Sequence, residues 1–216
     1  MSLQNRINSE GEICRSSARG TLMGNRGCLH NDAREIVARS KRDAWVTCLT
    51  EFKGIKRRVM DAGNCTELFF LDEATALSAG HRPCATCRRE RYDALLTAWS
   101  KGNRNGAKVL AGEVDNQMKL DRSPSSRTVT ASVHGLPDGV MVKDVATSAY
   151  FLVRGGRLCR WSFAYSTPSQ PPIPTESLPV VPIESRPVIP IHQRHMKFAA
   201  LQRSCASTPR ICFWSG

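Results

Sequence analysis

No run of about 18 apolar residues occurs in this 216-residue sequence, so no segment is apolar for long enough to cross a bilayer as a helix. The first residues, MSLQNRINSEGEIC, lack the basic-then-apolar layout of a secretory signal. A cytoplasmic location with no membrane partner is the expectation. Aromatics are scarce at 6%, and eight of the twelve prolines fall between Pro168 and Pro190, so part of the length is expected to stay outside any core. Acidic residues are outnumbered, 19 against 31 Lys and Arg, which gives a formal charge of +12. Such a chain is drawn to polyanions, because basic groups near phosphates release condensed counterions. Nucleic acid is therefore the leading partner class; nothing in the sequence identifies a protein partner. The basic excess sits partly at the front, where residues 1–60 hold twelve basic and six acidic residues. The length suits one ordinary domain, or a modest domain with a small second module, and excludes a large multidomain enzyme.

Cysteine is plentiful. The nine are Cys14, Cys28, Cys48, Cys65, Cys84, Cys87, Cys159, Cys205 and Cys212, and in a reducing compartment metal ligation or idle thiols replace disulfides as the expected roles. Two of them stand three positions apart in GHRPCATCRR, Gly80–Arg89.

The frame of that motif is legible. TELFFL reads as a short apolar strand, and DEATALSAG as a helix capped by Asp72 and stopped at Gly80. Pro83 holds the chain extended before Cys84, and RRERYDALLTAW spaces Tyr92, Leu95, Leu96 and Trp99 along one helical face. Cys84 and Cys87 thus sit at a turn entering a helix, where two thiolates two residues apart suit half of a tetrahedral zinc site. A redox pair would call for a thioredoxin-like βαβ setting, which is missing here. Upstream, AWVTCLTEF and IKRRVM around a Lys53-Gly54 turn read as a hairpin, and GTLMGNRGCLHND as a glycine-rich loop. Downstream, VMVKDV, AYFLV and RLCRW read as an antiparallel meander.

The expected class is α+β: a disordered lead-in at 1–19, a zinc-binding domain with a β-hairpin at 20–105, a linker at 106–135, a β-meander at 136–167 and a disordered proline-rich tail at 168–216. Cys48 and His30 are the first choice to complete the zinc site and Cys65 the second, while His81 reads as a packing residue. Arg82, Arg88, Arg89 and Arg91 around the cysteine turn, with Lys53, Lys56, Arg57 and Arg58 on the hairpin, are the candidate phosphate contacts. Glu67, Asp72 and Glu73 are the acids closest to a hydrolytic arrangement.

Residues 66–89, TELFFLDEATALSAGHRPCATCRR, resemble part of the zinc-binding N-terminal domain of the bacterial Ada DNA-repair protein. Residues of about 20–165 resemble a wider group of bacterial proteins sharing that signature, which brings no activity with it. The narrower resemblance implies a zinc site using Cys84 and Cys87, DNA as the nucleic acid, and a repair or regulatory setting. In the Ada domain an upstream Cys-x-x-x-Cys supplies the other two ligands, one of which accepts a methyl group from a DNA methylphosphotriester. This sequence departs from that pattern, with Cys48 alone upstream in the hairpin. The function expected is zinc-stabilised DNA binding; the alternatives are a zinc-thiolate methyl acceptor, a metal-assisted phosphodiesterase, and a zinc-stapled protein-interaction module.

Overall fold

In the computed structural model, residues 2–55, 58–122, 131–132, 136–144, 147–155, 157–163, 180–181 and 187–190 are described. The chain is mixed α+β. TELFFL supplies β5 (Leu68–Phe70), whose alternation buries Leu68 and Phe70 on one face. Across that face lies α1 (Glu73–Ser78), whose first free N–H groups are capped by Asp72, its side chain accepting from Thr75 N–H at 2.6 Å. The helix stops as expected: Gly80 takes φ +79°, its N–H reaches Leu77 O, and His81 N–H reaches Ala76 O, both at 2.9 Å. This pair of bonds is the Schellman closure, which calls for a residue free to adopt positive φ.

The remaining strands of the first sheet are β1 (Gln4–Ile7), β2 (Ile13–Arg15), β3 (Leu22–Asn25), β4 (Val46–Leu49) and β6 (Arg82–Pro83). Their order is β2-β1-β5-β3-β4-β6. Residues 1–19, expected as a disordered lead-in, instead carry β1 and β2, and Ile7 is wholly buried with Leu22, Leu68 and Phe70 beneath α1. The hairpin expected at 44–60 is likewise replaced. Phe52–Ile55 does turn, closed by Ile55 N–H on Phe52 O, but the described residues of 55–60 form no return strand, and β4 pairs with β3 and β6.

α2 (Arg89–Asn103) buries Leu95 and Trp99 as its spacing predicts, with Leu96 packed partly against them. Their partners come from the segment expected to be linker, where α3 (Ala111–Asp121) contributes Val114 and Met118. Burial of a few such side chains, each contributing about 1.5–3 kcal/mol, outweighs the weak periodicity that made this segment look like coil.

The meander is present as β8 (Met141–Asp144), β9 (Tyr150–Arg154) and β10 (Arg157–Trp161), after the short β7 (Ala131–Ser132). These three strands pair antiparallel in sequence order. They pack against the first unit: Trp161 Nε1–H donates to Thr75 Oγ1 at 3.0 Å, and Met141 and Trp161 cluster with Leu71 and Ala74. Lys143 and the Tyr150 hydroxyl both reach the Glu10 carboxylate. Of the proline-rich segment, β11 (Val180–Val181) pairs with β10, and β12 (Pro187–Pro190) pairs with β7 and β8. Within β12, Val188 and Ile189 retain the N–H groups that proline lacks. The rest of 168–216 lies outside the described residues. Among the described residues no helix is long and apolar enough to cross a membrane.

Candidate metal centre

Two segments far apart in sequence meet at the end of the first sheet. Trp45 O accepts Arg82 N–H at 3.0 Å, and Thr47 O accepts Cys84 N–H at 2.8 Å, so Arg82-Pro83 runs parallel to β4 with Thr47 opposite Pro83. Thr47 Oγ1–H adds a bond to Arg82 O at 3.1 Å. Pro83 suits this position because it fixes an extended backbone at a short sheet edge. The chain then turns through Cys84 to Cys87 before α2 begins.

The result is a cluster of Cys48, Cys84 and Cys87, all partly buried, whose Sγ atoms lie within 4.8 Å of one another. Tetrahedral thiolates at about 2.3 Å from a zinc ion stand about 3.8 Å apart, so the separation accommodates a shared ion. Backbone donors point at the sulfurs: Thr86 N–H on Cys84 Sγ and Leu49 N–H on Cys87 Sγ, each at 3.4 Å. N–H groups aimed at sulfur favour thiolate over thiol. At Cys84 burial pushes the thiol up, but the N–H groups of Cys87 and Thr86 and the thiols of Cys87 and Cys48 outweigh it and bring the group down to about 7. Cys48 moves the other way, raised by burial and by its two sulfur neighbours. One sulfur holds its proton and another gives it up readily, an arrangement a cation would resolve by displacing the remaining protons. The three cysteines can hold a metal ion.

His30 is not one of this group. Its ring is buried with Nδ1 at 2.6 Å from Thr66 Oγ1 and Nε2 at 3.3 Å from Asp61 O, so both nitrogens already have partners in the segment before β5. Cys65 also stands outside the group and accepts a long contact from Arg42. His81 packs, as expected: it is fully buried between Phe70 and Trp45, with Nε2 accepting from Arg26 Nε–H at 3.0 Å. Arg26 itself is wholly buried, an outcome with no signal in the sequence. Its guanidinium lies 3.8 Å from the centre of Trp45, which the partly buried Arg122 also approaches at 4.2 Å; stacking on indole and a bond to Gly11 O accommodate the buried cation.

The candidate phosphate contacts divide. Arg82 forms a two-bond fork with Asp115, 2.6 and 2.9 Å, with only 11% of its side chain exposed. Arg88 and Arg91 share Glu73, at 2.5 and 2.6 Å. Arg82 thus ties β6 to α3, Arg88 and Arg91 tie the start of α2 to α1, and all three guanidiniums face carboxylates. Arg89 stays exposed, with Asp93 one helical turn on at 3.4 Å. Arg58 is exposed beside Asp61, and Lys53 is exposed at a positive-φ turn over Phe52. Lys56 and Arg57 lie outside the described residues. The acids considered for hydrolysis are engaged: Glu67 accepts Met60 N–H, Asp72 caps α1, and Glu73 holds two arginines. Asp115 and Glu73 as arginine partners were beyond sequence reasoning, since each lies at least 15 residues from the cation it faces.

Comparison with family models, with curated proteins and with solved structures gave no match.

Proposed function

We propose that this is a zinc-thiolate protein that binds nucleic acid, DNA first, with the metal fixing the sheet edge from which the binding surface is built. The observation that carries the zinc reading is the convergence of Cys48, Cys84 and Cys87 with backbone N–H groups directed at two of the sulfurs. Thiolates at this spacing prefer zinc among common cellular ions. Zinc would lock β4 to the turn before α2 and supply folding free energy directly. The nucleic-acid part is supported by the charge of +12 and by cations left facing solvent near both cysteine segments, Lys53 and Arg58 after Cys48 and Arg89 after Cys87. The DNA and repair setting rests on the Ada resemblance of residues 66–89. The experiment is metal analysis of the purified protein together with binding of labelled DNA across a salt series. Sub-stoichiometric zinc, or binding that does not respond to salt, contradicts the corresponding half of the proposal.

A second reading is favoured by the donor count: among the described residues the cluster offers three protein ligands, not four. A three-thiolate centre leaves a position open, and one partly exposed sulfur could act as a methyl acceptor, taking CH3 from a phosphotriester and leaving a phosphodiester oxyanion. Intact-mass analysis after incubation with methylphosphotriester DNA decides it; an unchanged mass removes this reading.

A further inference from the structure

The sheet face turned away from α1 carries a continuous cross-strand row. Arg6 on β1 is in register with Phe69 on β5, Phe69 with Met23 on β3, and Met23 with Cys48 on β4. Side chains at paired positions share a face, so this row runs from the metal cluster to Arg6 across three strand spacings, about 14 Å. Over its Arg6 end lies a groove of about 520 Å³, lined by Asn5, Arg6, Ser16, Arg19, Glu51 and Phe69 among others. That volume is typical of sites that take a ligand of nucleotide size, about 300–1,000 Å³.

The arginines of this groove are not neutralised as those around α2 are. Arg82, Arg88, Arg91 and Arg104 each face a carboxylate. Arg6 and Arg19 have no ion pair among the described residues. Arg6 is partly buried, donates to the Ala18 carbonyl and to Asn5 Oδ1, and lies 5.0 Å over the Phe69 ring, all neutral partners. A register shift between Gln4 and Arg6 brings the consecutive side chains of Asn5 and Arg6 together, the re-aiming that a bulge provides. Asn5 is only 1% exposed, yet its Nδ2 has no hydrogen-bond partner in the protein. A buried amide donor without an acceptor costs about 1–3 kcal/mol, and here it lies beside the Arg6 guanidinium, with Arg19 lining the same groove. Donors of this kind in one recess match a phosphate group.

We propose that the groove holds a phosphate of a single-stranded nucleic acid crossing the Phe69–Arg6 end of this row, with Asn5 Nδ2, Arg6 and Arg19 as its donors. The assignment rests on the nucleic-acid reading above and locates it on the face where sequence had not placed it. Single strand is preferred over duplex because the Asn5 amide lies below the surface. A flexible backbone can lower one phosphate into a recess, and the evenly convex backbone of a duplex cannot.

The test uses the full chain with its metal and a labelled oligothymidylate, with a duplex of the same length as competitor. Asn5→Asp keeps the side-chain shape and gives Arg6 a carboxylate, so it should fold at least as well while losing most of the affinity. Arg19→Ala should weaken binding and reduce the salt slope by about one. Glu51→Gln should strengthen binding by removing the groove's acid. This pattern supports the site. If the strand binds and the groove variants leave affinity unchanged, the groove is overturned while nucleic-acid binding stands. If the duplex competes equally, the single-strand assignment fails. If neither nucleic acid binds, both the groove and the underlying reading fall.

Discussion

The carbonyl oxygen of Thr47 accepts the backbone N–H of Cys84 at 2.8 Å, and this single bond sets the sulfurs of β4 and of the following turn side by side. Because Cys48 follows Thr47 directly, the parallel pairing of two short strands carries a thiol from each segment to the same end of the sheet. The geometry of the cysteine cluster is thus a property of the backbone ladder.

Cys84→Ser and Cys87→Ser should each abolish stoichiometric zinc and lower thermal stability, since structural zinc contributes folding free energy outright. His30→Ala should leave zinc content unchanged, because both ring nitrogens serve Thr66 and Asp61. Elemental analysis and thermal melts read both outcomes. Retention of a full melt after chelation of the wild type would refute the structural role.

Thr47→Val removes the hydroxyl that donates to Arg82 O while preserving side-chain shape. The position is 1% exposed, so water does not replace the lost donor and the change should cost about 1 kcal/mol. Zinc affinity should fall along with stability, as competition with a chromophoric chelator can measure. A variant that melts lower but binds zinc as tightly would separate the ladder from the metal site.

Glu73→Gln withdraws the carboxylate from Arg88 and Arg91 together. The Arg88 side chain is 8% exposed, and leaving a buried guanidinium without its counter-charge costs on the order of 3 kcal/mol. Urea unfolding should show a loss of that size, and adding Arg88→Met should recover part of it. No recovery would mean that Glu73 acts through something other than this pair.

Asp72 offers a pH test. Burial raises its carboxyl above the ordinary value, against the lowering bonds from Thr75. A folded pKa above the unfolded one means the folded state binds more protons between the two, so this group's contribution to stability declines as pH rises through that window. Asp72→Asn keeps a good cap without the charge and should remove that decline, while Asp72→Ala should lie about 1 kcal/mol below Asp72→Asn at every pH. Parallel melts from about pH 4 to 7, spanning the ordinary carboxylate pKa, compare the three proteins; identical slopes for wild type and Asp72→Asn would contradict the raised carboxyl.

What the sequence disclosed follows from the range of the interactions. The β5–α1 unit, the Gly80 stop, the α2 core face and the meander are specified by contacts within a few residues, and each has a periodic or capping signal. Cys84 and Cys87 are a local motif too, and Cys48 was reachable because a tetrahedral ion needs further donors and Cys48 lies in a segment preceding the strand and helix that present Cys84. β1 escaped notice because its four residues, QNRI, place only one aliphatic side chain in the core. α3 escaped because its buried Val114 and Met118 are spaced correctly but surrounded by polar residues. The pairing of Arg82 with Asp115, and of Arg88 and Arg91 with Glu73, depends on how helices dock. Their place around the cysteine turn therefore read as a set of phosphate contacts.

The two-residue strand β6 has one further consequence. It is the sole cover, among the described residues, on the outer edge of β4, and the cysteines are what pin it there if the metal reading holds. Stripping the ion would then uncover the N–H and C=O groups of an edge strand that natural sheets keep blocked, because they template pairing with a second chain. Metal starvation would be felt first as self-association, with turbidity or oligomers preceding any loss of helix signal, and the zinc centre would serve as a guard against aggregation as much as a staple.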